Sequence, residues 1–92
     1  MLDELASIEL MKAEQNGLGI EKSELYAKQE QLRENLSALQ PTGDEASLRN
    51  RMLRQLSESQ DRLEEIEARD RELTASIQET EARVTEIIKA LG

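Results

Sequence analysis

The sequence predicts an all-α fold: a long antiparallel helical hairpin, a two-helix coiled coil, completed to a bundle by self-association or by a partner. Three observations carry this expectation. Apolar residues recur every seven positions through two long stretches of the 92-residue chain. A single clear break, Gln40-Pro41-Thr42-Gly43-Asp44-Glu45, separates the stretches. Tyr26 is the one aromatic residue, with no Trp or Phe, which is too little bulky apolar material for an ordinary globular core. The expected organisation is one domain over residues 1–92, with a helix over about 2–40, a turn at 40–43 and a helix over about 43–91.

The first arm carries Met11, Leu18, Leu25, Leu32 and Leu39 at heptad d positions. Its a positions are Ile8, Gln15, Lys22, Gln29 and Leu36, a mostly polar row beside a leucine row. Polar residues at a cost stability and help to set register and partner number. Asn16-Gly17-Leu18-Gly19 interrupts the arm in composition. Two glycines inside a helix cost roughly 2 kcal/mol relative to alanines. They allow a true break with Gly17 beyond a helix C-terminus, or a continuous helix with a weak point. A close approach of another backbone is a third, lesser option. The heptad phase runs through undisturbed, which favours continuity.

The break has a chemical cause. Proline lacks an amide hydrogen and disfavours helical geometry in the residue before it, so the first helix should end near Gln40. Thr42 reads as the N-cap of the second helix, with Glu45 reaching back to its amide as a capping box. Asp44 and Glu45 place negative charge at the positive end of the helix dipole. A connection this short makes antiparallel neighbours.

The second arm carries Arg49, Leu56, Leu63, Asp70, Ile77, Val84 and Leu91 at a, and Met52, Ser59, Ile66, Leu73, Thr80 and Ile87 at d. An apolar row sustained over this many heptads is a strong coiled-coil signal. Lys89 suits the negative C-terminal end, and Gly92 is a plausible stop. Folding the arms together sets a layers against d layers. The preferred register places Leu36 opposite Met52, Leu32 opposite Leu56, Leu25 opposite Leu63, Met11 opposite Ile77, and polar Gln29 opposite polar Ser59. A shift of one heptad would oppose Leu32 to Arg49 and Met11 to Asp70.

Composition narrows function. A net charge of −8 disfavours nonspecific binding to nucleic acid or an anionic membrane. Cysteine and histidine are absent, which removes thiolate chemistry and the commonest general base and metal ligand. No apolar run approaches the roughly 20 residues needed to span a bilayer, so no membrane insertion is expected. No basic segment precedes an apolar run as in a signal peptide, so the expected location is the cytoplasm, with signal-less secretion left open.

Glu64, Glu65, Glu67, Asp70 and Glu72 form a dense carboxylate group interleaved with Arg62, Arg69 and Arg71. Their spacing is that of a solvated, salt-bridged helix face; bundle di-iron sites would also require histidine. Asp70, on the seam, reads as a solvated defect near the glycines, the alternative being a specificity device; Lys22 is the nearest seam cation. Arg49-Asn50-Arg51-Met52-Leu53-Arg54 is the one basic cluster, yet Glu30 and Glu34 fall at its level and no aromatics are interleaved for base stacking. Gly17-Leu18-Gly19 is no phosphate loop, because it follows no strand and lacks the Lys-Ser or Lys-Thr that completes one. No catalytic, cofactor-binding or metal-binding residue is expected, and no small-molecule substrate.

The expected function is that of a non-enzymatic coiled-coil structural or adaptor protein that assembles with itself or docks a protein partner. Its candidate interface is Leu2, Leu5, Ile8, Leu10, Met11, Tyr26, Leu53, Val84, Ile87, Ile88 and Leu91, mostly at the end where both termini meet. The architecture is similar to the helical hairpins of small secretion-apparatus stalk and needle components, a likeness of shape. Such a likeness implies a secretion-apparatus component, beside the alternatives of a partner-clasping chaperone and of an acidic inhibitor that imitates nucleic acid.

Overall fold

A computed structural model of the chain describes residues 2–92. Two helices, α1 (Leu2–Ala38) and α2 (Asp44–Leu91), pack antiparallel as an all-α hairpin, with no strand among the described residues. α1 runs unbroken through Gly17 and Gly19. A Cβ added at either glycine would meet nothing within 4 Å, so no backbone within the chain approaches them.

The heptad assignment accounts for the burial. Seam positions from Ile8 to Leu36 on α1, Leu39 just beyond it, and those from Arg49 to Ile87 on α2 are buried or half-buried, with the exception of Asp70, which is exposed. Hydration of its carboxylate avoids the cost of an enclosed charge on the seam. The packing forms two compact units, each with segments of both helices. One, the terminal unit, comprises residues up to Ile20 together with Glu67–Gly92. Its core is Ile8, Leu73, Ile77 and the methyl-bearing Thr80. The Thr80 hydroxyl donates to the Ser76 carbonyl at 2.8 Å, which satisfies a buried donor. The other, the turn unit, is Glu21–Ile66, with Leu32, Leu63 and Ile66 buried beside Gln29 and Ser59.

Polar contacts fix the register. In the turn unit Gln29 Nε2 donates to Gln60 Oε1 at 3.4 Å, beside Ser59, and the Arg62 guanidinium reaches Glu21. In the terminal unit Gln15 Nε2 donates to Thr74 Oγ1 at 3.0 Å, and Arg69 reaches Glu14. Both sets belong to the register that opposes Gln29 to Ser59. A one-heptad shift would bring Arg62 to the level of Glu14 instead. The polar layer is imperfect: the buried Ser59 Oγ has no hydrogen-bond partner among the described residues.

The turn departs from expectation in detail. α1 ends at Ala38, two residues before Gln40, and the Leu39 amide donates to the Leu36 carbonyl at 3.2 Å, tightening the last turn. α2 starts at Asp44, so Gly43 rather than Thr42 occupies the capping position. Gly43 has a φ of 68°, a left-handed conformation that costs glycine little because it has no Cβ. The Glu45 carboxylate accepts from the Gln40 amide and not from that of Thr42. The expected Thr42–Glu45 capping box is therefore replaced by a link across the turn. The physical reason is that glycine's backbone freedom lets the chain reverse at Gly43, one residue later than a threonine cap would.

Candidate interaction surface

The seam of a two-helix coiled coil has two flanks. In an antiparallel pair the g residues of both helices lie along one flank and the e residues along the other. On this chain the g flank includes Glu14 and Glu21 from α1 with Arg62 and Arg69 from α2, and the e flank includes Leu5, Lys12 and Tyr26 with Leu53, Thr74, Glu81 and Ile88.

The g flank is closed by the chain's own charges. In the terminal unit Arg69 donates through Nε and Nη2 to both carboxylate oxygens of Glu14, at 2.6 and 3.0 Å. Its Nη1 donates to Glu72 at 3.2 Å. In the turn unit Arg62 grips Glu21 in the same forked way, at 2.6 and 2.8 Å, and Glu65 at 3.2 Å. Two parallel N–H···O bonds add directionality to charge attraction. The Glu14 and Glu21 carboxyls are held below their ordinary value, chiefly by these hydrogen bonds; desolvation opposes the shift, and the neighbouring positive charge adds a smaller lowering. The same bonds raise the guanidinium pKa values.

The terminal unit carries a shallow groove on each side of the seam. On the g side Glu4, Glu79, Ala82, Arg83, Glu86 and Ile87 line a space of about 460 Å³. Arg83 there is drawn to Glu79 at 3.9 Å and donates to Thr80 Oγ1 at 3.2 Å. On the e side Leu5, Ile8, Lys12, Glu81, Val84 and Thr85 line a space of about 300 Å³.

The candidate interface residues divide by burial. Ile8 is buried in the seam, and Met11, Val84 and Ile87 are half-buried there, so their apolar surface is largely taken up by the hairpin itself. Leu2, Leu5, Leu10, Ile88 and Leu91 of the terminal unit are exposed, from 43% at Leu5 to 80% at Leu2. Tyr26 and Leu53 are exposed in the turn unit. Lys22 Nζ lies 6.0 Å from the Tyr26 ring centroid, at the outer limit of a cation–π contact. Sequence reasoning missed Ile20, an exposed apolar side chain at an f position. It read the arginines as pairing within one helix, as Arg62 does with Glu65 and Arg69 with Glu72, and missed their partners Glu21 and Glu14 on the other helix, for which the g positions were the signal.

Among the described residues no cluster of Asp and Glu is arranged to hold a metal ion. No described helix is long and apolar enough to cross a membrane. No family model matches the chain, and no curated protein or solved structure matches it.

Proposed function

We propose that this chain is a non-enzymatic coiled-coil structural or adaptor protein that works by protein–protein assembly, associating through apolar side chains left outside its own seam. The observation that carries the reading is the exposure of Leu5 and Ile88 beside the seam, together with Leu2, Leu10 and Leu91. A helix with apolar residues beyond a single stripe has more than one face to cover.

A hairpin with one seam has a small core for its surface, and association is a common remedy. The forked arginines count against the nucleic-acid mimic, because Arg62 and Arg69 interrupt the carboxylate rows that would stand in for phosphates.

Light scattering coupled to size-exclusion chromatography tests the proposal. The expected result is a helical species of at least twice the 10.4 kDa chain mass. A well-folded monomer that binds no protein partner at any accessible concentration would refute it. A poorly ordered monomer that gains helicity on meeting a partner would move the reading to the clasping module.

A further inference from the structure

We infer that a second copy of this chain covers the e-side groove of the terminal unit, about a two-fold axis parallel to the helices, with Lys12 of each copy meeting Glu81 of the other. The inference rests on the assembly reading above and names its face and its occupant.

Charge selects the face. Among the described residues Lys12 and Glu81 line one groove yet form no ion pair with each other or with any neighbour, although most other charges lining the terminal seam are engaged. The two charges cancel, and Leu5 and Ile88 beside them are exposed. The g-side groove differs. It is lined by Glu4, Glu79, Arg83 and Glu86, and these charges are taken: Arg83 lies 3.9 Å from Glu79, Lys89 lies 3.7 Å from Glu86, and Glu4 is engaged as well. A second copy meeting there would have to displace those pairs, whereas Lys12 and Glu81 are available for exchange between chains.

Symmetry selects the arrangement. A two-fold axis parallel to the helices preserves level along the chain. It lays α1 of one copy against α2 of the other, antiparallel, and gives an alternating four-helix arrangement. Residues at one level in the e flank then meet across the interface: Leu5 faces Ile88 of the second copy, and Lys12 faces its Glu81. A two-fold contact repeats every pair twice, so two apolar contacts and two ion pairs form together. The other self-complementary arrangement, with the axis crossing the helices at the groove, would stack α1 on α1 and oppose Lys12 to Lys12.

Exchange of charge between chains tests this directly. Lys12→Glu and Glu81→Lys each place like charges across both repeats of the contact. Each variant alone is expected to dimerise about tenfold more weakly than the wild-type chain. An equimolar mixture of the two is expected to recover wild-type affinity as a 1:1 heterodimer, identified by native mass spectrometry. In the mixture the new carboxylate at position 12 faces the new ammonium at position 81 of the other chain, while each chain keeps its internal like-charge pair. Recovery therefore reports the contact between chains and not one within a hairpin. A wild-type dimer whose variants associate undiminished, or whose mixture recovers nothing, would overturn this inference and leave the assembly reading standing. A folded wild-type monomer that binds no partner would overturn both. If a charge reversal reduces helicity, Lys12→Gln and Glu81→Gln serve instead: each is expected to weaken the dimer less, and unchanged association would overturn the inference.

Discussion

The two flanks of the terminal seam share the same buried residues and end in opposite conditions. On the g flank Arg69 spends its fork on Glu14 and its remaining donor on Glu72. On the e flank Lys12 and Glu81 face one groove and stay apart, with Leu5 and Ile88 exposed beside them. The difference lies in side-chain type at equivalent heptad positions. Arg and Glu at g satisfy each other across the helices, whereas the e row mixes apolar residues with single charges. A heptad repeat by itself predicts a seam; the residues beside it decide which side of the hairpin remains available.

Breaking the shared floor should abolish the comparison. Leu73 is 2% exposed and supports both flanks, and a carboxylate there would be buried without a partner. Leu73→Asp should remove most helicity by circular dichroism, and Leu73→Ala should cost about 2–4 kcal/mol in urea unfolding. Retained helicity in Leu73→Asp would mean that the seam is not what holds the helices together. A position on neither flank gives a smaller effect of opposite sign. Gly17 lies in a continuous helix with open space around its missing side chain. Gly17→Ala should raise stability by about 1 kcal/mol without changing association. A loss would indicate that the helix in solution breaks there.

Acid offers the finest distinction between the flanks. The Glu14 and Glu21 carboxyls titrate below their ordinary value of 4.5 in the folded chain because Arg69 and Arg62 donate to them. A depressed folded pKa contributes stability above the unfolded value, and that contribution is lost as the pH falls through the folded one. Glu14→Gln combined with Glu21→Gln should therefore flatten the acid side of the stability profile below pH 4.5, while Lys12→Gln on the e flank, compared at concentrations too low for two copies to meet, should leave the slope unchanged. Equal slopes in all three proteins would show that the forks contribute nothing to folding. Because both pairs are half-exposed, added salt should also weaken the difference.

Much of this molecule was legible in the residues. Apolar spacing located both helices, and the leucine row across Gly17 and Gly19 favoured the unbroken α1 that the structure has. Matching Gln29 with Ser59 selected the register. The turn was legible only in outline, because the cap depends on a backbone angle. Glycine at 43 permits a φ that no pattern of hydrophobicity records, and it moved the helix start past Thr42. The partners of Arg62 and Arg69 depended on register as well as on spacing, so they emerged only with the packing. The apolar termini end was visible as a cluster. Its division into seam residues such as Ile8 and exposed residues such as Ile88 needed the hairpin.

Sedimentation equilibrium on the wild-type chain and on a Leu5→Gln, Ile88→Gln double variant tests the open flank most directly. Both side chains are about half exposed, so the variant should keep its helicity and lose little stability. The account predicts a wild-type dimer and a helical monomeric variant. A variant that remains as dimeric as the wild-type chain would contradict it.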